Sequence, residues 1–177
     1  ATSLIQVAEG GLNEQNNILI RLRELAVQSA SDTVSDVERG FLNQEFTQLI
    51  AESDRIAQTT QFGTKKLLTG GGGEFEFHIG ANTDEFNIIK YNMDADTTAA
   101  TMGVANLTVD RRDSSRASLN DLDEAIKKLA GVRSGFGAMQ SRLQITMNNL
   151  DNQFETISMA KSRITDADVA QETSELV

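Results

Sequence analysis

The chain has no cysteine, no proline and no tryptophan, and a single tyrosine and a single histidine among 177 residues. Without cysteine there can be no disulfide framework and no thiolate metal site. Without proline, nothing forbids helices of great length, because the residue that removes a helical N–H and clashes with the preceding turn is missing. Aromatic residues are only 5% of a chain that is 39% apolar, a balance suited to narrow stripes of Leu, Ile and Ala rather than a thick globular interior. No apolar run approaches the length of a membrane span. Residues 1–6 show no basic leader followed by an apolar stretch, so no secretory signal is read there. Basic residues are also scarce, 16 against 26 acidic ones, for a net charge of -10. That excess argues against nucleic acid or an anionic membrane as partner, since phosphate binding needs clustered Lys and Arg.

What is present is heptad order. In the first stretch Ile5, Leu12, Leu19 and Ala26 recur every seven residues, with Ala8, Gln15, Leu22 and Ser29 three positions further on. A seven-residue repeat keeps one stripe turned toward a partner helix. Gly10-Gly11 should weaken this helix and permit a bend. Ser35 stands three residues before Glu38, the spacing of a capping box, and opens a second amphipathic helix over about 36–60. In the last third Leu122, Leu129, Phe136, Leu143, Leu150, Ile157 and Ile164 form one unbroken heptad series, expected as the seam of a long helix over about 118–172. Gly131, Gly135 and Gly137 are its weak point.

Between the helical blocks the texture changes. Gly70 to Gly73 reads as a flexible linker. Phe75, Phe77 and Ile79 then alternate with polar residues, as in a half-buried strand. Gly80 to Asp84 supply a turn, and Phe86 to Tyr91 reads as the returning strand. Leu107 and Val109 suggest a further short strand in an otherwise small and polar connection. The fold class is therefore mainly α: an elongated antiparallel helical bundle with long coiled-coil-like helices and a small β-hairpin insert. Its parts are residues 1–69, the N-terminal helical portion; 70–116, hairpin and short variable connection; and 117–177, the long C-terminal helix.

Nothing here points to catalysis. His78 stands alone on a strand, and a metal or catalytic site needs a constellation. Asp166, Asp168 and Glu172 have helical spacing and read as solvated charges rather than a calcium cluster. The glycine run lacks the Lys-Ser/Thr of a phosphate-binding loop. No paired acid and base, activated nucleophile or metal set is visible, so no enzyme, metal or cofactor is expected.

The run Arg21-Leu22-Arg23-Glu24-Leu25-Ala26-Val27-Gln28-Ser29-Ala30 resembles the signature helix of bacterial flagellins. Gly11 to Glu14, Thr60-Gln61-Phe62 with Lys66-Leu67-Leu68, Ile79 to Asn82, Gly137 to Leu143 and Ser162-Arg163-Ile164 with Asp166 to Asp168 resemble further family segments in the expected order. Where the family usually carries Asn-Gly after the turn phenylalanine, this chain has Gly63-Thr64. Large outer domains and the terminal segments of the innermost filament tube have no counterpart, so the chain resembles a trimmed core. The resemblance implies a self-assembling structural subunit of the extracellular flagellar filament, exported by the type III route and used for swimming. Its partners would be other flagellin subunits, and the isolated chain should be an elongated monomer. It also places Arg21, Leu25 and Glu45 where the family contacts a host Toll-like receptor and neighbouring subunits; plain helix charges and a seam leucine are the simpler account of the same residues. A hook–filament junction protein is the alternative within the flagellum. A host-binding adhesin would need an elaborated outer domain, which this chain lacks.

Overall fold

A computed structural model describes residues 2–80 and 84–175, with side chains described as far as Thr165. Three long helices dominate: α1 (Thr2–Ser29), α2 (Asp36–Thr59) and α4 (Arg112–Glu175), with a single turn α3 (Ala99–Met102) before the last. Two antiparallel strand pairs interrupt them, β1 (Gln61–Phe62) with β2 (Lys65–Lys66) and β3 (Glu74–His78) with β4 (Ile88–Asn92). α1 packs along both α2 and α4.

The α1 heptads account for its placement. All eight residues of its two series are buried, including the polar Gln15 and Ser29. The expected bend at Gly10-Gly11 does not occur, and α1 is one continuous helix. Gly11 serves a different purpose: a Cβ there would lie 2.6 Å from the Thr60 hydroxyl and 3.0 Å from Leu68. Only glycine lets the end of α2 approach this closely. The capping box forms as the spacing requires, Glu38 N donating to Ser35 Oγ and Ser35 N to the Glu38 carboxylate at 2.8 Å. Those bonds hold the Glu38 carboxyl below its ordinary pKa, the backbone bond from Ser35 being the larger cause.

α4 begins at Arg112, earlier than the apolar series suggests. Its first turns are polar yet buried, because Ser115 and Ser118 return their hydroxyls to carbonyls of Arg111 and Thr108 at 2.7 and 3.1 Å. At about 1.5 Å per residue its 64 residues span roughly 96 Å. It passes through Gly131, Gly135 and Gly137 without a break. Leu129, Phe136, Met139 and Leu143 are all buried on one side there, and their burial outweighs about 1 kcal/mol of lost propensity per glycine. A Cβ at Gly131 or Gly137 would meet nothing within 4 Å. Gly137→Ala should accordingly raise stability by about 0.5–1 kcal/mol, read as a higher midpoint in chemical denaturation.

The middle of the chain is better anchored than its composition suggests. Gly70 to Gly73 is no loose linker: Gly70 N donates to Ala95 O, Met93 N donates to Gly73 O, and a Cβ on Gly72 would lie 2.9 Å from Met93. β3 pairs with β4 in the register Phe75↔Tyr91 and Phe77↔Ile89, so their apolar residues share a face. Tyr91 meets Phe136 of α4 there, ring centres 5.9 Å apart. The returning strand starts at Ile88 rather than Phe86, which lies in a 3-10 turn. Of the turn, Ala81, Asn82 and Thr83 lie outside the described residues. No strand forms at Leu107 and Val109; Val109 is instead a core residue, its N–H held by the Asn43 side chain at 2.8 Å. The Gly63-Thr64 substitution is accommodated because only Gly63 has a positive φ, 64°. That is the pattern of a type II′ hairpin turn, in which glycine occupies the first central position.

Candidate functional site

With no reactive cluster in the sequence, the candidate sites are faces. The first is the outer surface where α1 meets α2. Arg21 pairs with Glu45 across the helices at 2.7 Å and with Glu24 along α1 at 3.2 Å, all three about half exposed. These bonds raise the Arg21 pKa, the Glu45 hydrogen bond contributing most. Arg23 closes the other side of α1 by reaching Asp123 of α4 at 2.7 Å, a bond that lowers the Asp123 carboxyl pKa. Ile20 and Val27 stand exposed between these pairs and line a shallow groove of about 470 Å³ with Arg23 and Gln28. Arg21 and Glu45 are thus brought together. Leu25 is not part of that surface: it is fully buried, because its position in the α1 repeat turns it inward.

The second face belongs to α4. Leu122, Leu129, Phe136 and Leu143 are buried, as a helix seam requires, but Leu150, Ile157 and Ile164 are 36%, 67% and 68% exposed. The seam expected along the whole helix is therefore covered only in its first part. The Thr2 hydroxyl of α1 sits beside Met147 Sδ at 3.9 Å, and α4 continues beyond that contact. Phe154, also exposed, joins this stripe. The hairpin tip stands beside it: Ile79, Gly80 and the 97% exposed Phe86 line an open groove of about 570 Å³ with Leu150, Phe154 and Ile157.

His78 is exposed on β3. The side chains of Asp166, Asp168 and Glu172 lie outside those described. Among the described residues no group of three or more His, Cys, Asp or Glu is placed to hold a metal ion, and no helix is long and apolar enough to cross a membrane.

Two functional residues of the packing escape sequence reasoning. Arg39, only 7% exposed, donates from Nε to Ser29 O and from Nη2 to Ser31 O, both at 2.9 Å, and pairs with Asp36 at 2.7 Å. It caps the end of α1 from the first turns of α2, where an arginine ordinarily reads as solvated. Gln15 was legible as a seam position but not as a tie: its Nε2 donates to Ser53 O and Thr97 O at 3.0 and 3.1 Å, joining α1, α2 and the connection.

Comparison with known proteins places this architecture. The family model for the bacterial flagellin N-terminal helical region matches residues 1–72, and that for the C-terminal helical region matches residues 119–177. A flagellin of Halalkalibacterium halodurans is 41% identical over 176 residues, covering 98% of this chain and 63% of the relative. A flagellar filament 33 kDa core protein of Treponema phagedenis is 38% identical over 186 residues, covering 96% of this chain and 64% of the relative. The chain therefore spans slightly less than two thirds of the length of these relatives. Among solved structures, a Bacillus cereus flagellin superposes with a TM-score of 0.74 at 27% identity, covering 84% of each chain.

Proposed function

Because this chain belongs to the bacterial flagellin family, we propose that it is the rod of a structural, non-catalytic subunit of the flagellar filament, outside the cell, where the assembled filament drives swimming. The observation that carries this reading is the elongated frame of α1, α2 and the 64-residue α4, in a chain similar to flagellins over nearly its whole length. Such a rod offers long side faces to its neighbours. Contacts between unlike faces that do not close into a ring extend without limit, which is the requirement of a filament. The relatives named as filament core proteins support the same reading. In dilute solution the isolated chain is an elongated monomer, since a filament lattice needs many weak contacts at once.

The paired charges at Arg21 and Glu45 serve best as a contact between copies, and the family resemblance extends the proposal to a host flagellin-sensing Toll-like receptor. Arg side chains are favoured interface anchors. Two measurements test the reading. Deleting the gene should remove or alter filaments seen by electron microscopy, and restoring it should return them; unchanged filaments would refute the structural role. Receptor reporter cells should respond to the protein and respond less to Arg21→Ala, while silence toward the parent protein removes the receptor from the proposal.

A further inference from the structure

The single turn α3, in the connection between β4 and α4, lies where all three long helices meet. A helix of four residues has no stability of its own and depends on what it packs against. Ala99, Met102 and the following Val104 are buried. Met102 and Val104 close a crevice walled by Gln15 and Leu19 of α1, Ser53 of α2 and Leu129 of α4. The crevice has no room for a water molecule, and Gln15 Oε1, buried against it, has no hydrogen-bond partner among the described residues. Opening would give that oxygen to water, so closure at α3 carries a built-in cost.

Carboxylates hold it closed. Asp96 Oδ1 accepts from the Thr98 amide at 3.0 Å and the Thr98 hydroxyl at 2.7 Å, and its Oδ2 accepts from the Thr101 hydroxyl at 2.7 Å. Asp54 of α2 accepts from Ala99 N at 3.0 Å and from Gln58 Nε2 at 2.6 Å. The first N–H groups of the turn therefore end on two anions, and such charge-assisted bonds are the strong ones. Of the other charged side chains around α3, Lys128 of α4 reaches the Thr101 carbonyl at 3.5 Å, while Asp94 turns to the Asn92 side chain at 2.6 Å. From α1 comes the neutral Gln15, holding Thr97 O at 3.1 Å. Burial pushes the Asp96 carboxyl up, but the bonds from Thr101 and Thr98 outweigh it and hold the carboxyl below its ordinary value of 3.8. The latch is therefore complete above that value and fails as the pH falls through the lower one. The far end of the connection, at Thr108 and Val109, is instead held to the helices by the neutral side chains of Asn43, Ser29 and Ser118.

We propose that α3 is an acid-released plug: protonating Asp96 frees residues 98–104 from the three-helix crevice, while the long helices stay folded and the far end of the connection stays attached. Release hydrates Gln15 Oε1, uncovers Leu19 and Leu129, and takes away the wedge that α1, α2 and α4 share. It is a local opening of the kind that precedes global unfolding. The device stands independently of the filament reading.

Amide hydrogen exchange of the whole chain, expressed as protection relative to each amide's intrinsic rate, tests the plug. The amides of Met102, Gly103 and Val104 bond to the carbonyls of Thr98, Ala100 and Ala99, so they report on α3 itself. Moving from neutral pH to about pH 3, below the ordinary Asp range, should lower their protection. The expected loss is about tenfold, the effect of weakening one charge-assisted bond, with amides inside α1 and the first half of α4 changing less. Asp96→Asn, which keeps the shape and removes the charge, should show the same loss at neutral pH. Thr101→Val leaves the charge and removes one bond, so it should raise the pH at which protection falls. If α3 lost protection only together with α1 and α4, the core would open as one unit. If α3 stayed protected in acid or in Asp96→Asn, the carboxylate would latch nothing; either result overturns the proposal.

Discussion

Phe136→Ala should cost about 3–5 kcal/mol of folding stability, whereas Ile157→Ala in the same heptad series should change it by less than about 0.5 kcal/mol. Beyond the difference between a phenylalanine and an isoleucine, the two positions differ in what lies over them. Phe136 is fully buried, meets the Tyr91 ring of the hairpin and sits between Leu129 and Leu143 of the same seam. Truncating it deletes the apolar contact and leaves a cavity that long, laterally braced helices cannot close. Ile157 is 67% exposed, so its truncation removes little from the folded chain in dilute solution. Urea titrations followed by helical circular dichroism, run on both variants at low micromolar protein, give the comparison. Equal costs at the two positions would mean that something covers the α4 tail in the monomer, and the division of the seam at Met147 would be wrong.

That division marks the boundary between what the sequence makes legible and what it does not. Heptads report which side of a helix is apolar, and in α1 and the first part of α4 they identify buried residues down to Gln15 and Ser29. The series alone does not show which of its members are covered, so Leu150, Ile157 and Ile164 stand in one register with Leu122 although they are exposed and it is buried. The capping box at Ser35 and Glu38 was readable because it is local: both partners lie within four residues. The hairpin was readable for the same reason, through alternation of Phe75 and Phe77 with charged residues. What failed was nonlocal. Composition alone made Gly70 to Gly73 a linker, yet the structure uses Gly72 to let Met93 and the Lys66 carbonyl crowd its backbone. The burial of Ser115 and Ser118 has no local signature, because the carbonyls that satisfy them come from a turn preceding the helix. Of the three candidate contact residues, Arg21 and Glu45 came together and Leu25 did not. The heptad phase of α1 had already assigned Leu25 to the core side.

Arg39→Met should cost about 2–4 kcal/mol, although it replaces a charged residue with an apolar one of similar length. Helix α1 ends with carbonyls that have no intrahelical donor, and buried carbonyls left without partners are expensive. Arg39 answers the Ser29 carbonyl at the end of α1 and the half-buried Ser31 carbonyl just beyond it, while Asp36, itself open to solvent, neutralises the guanidinium. Methionine fills the space and supplies no donor, so Ser29 O loses its side-chain bond and Ser31 O keeps only the long one from Val34 N at 3.5 Å. A planar guanidinium can serve two carbonyls and a carboxylate at once, and a lysine ammonium on a different stem cannot reproduce that fork. Arg39→Lys should therefore recover only part of the loss, about half by the number of acceptors it can reach. Because the bonds close the α1–α2 turn, hydrogen exchange should speed most at the amides of Ala30 and Val34, which now bond to Ala26 and Ser31 carbonyls. Amides in the middle of α4 should change only by the global stability difference. If Arg39→Met matched the parent in both stability and exchange, the turn would be held by the capping box alone, and the buried arginine would be a bystander.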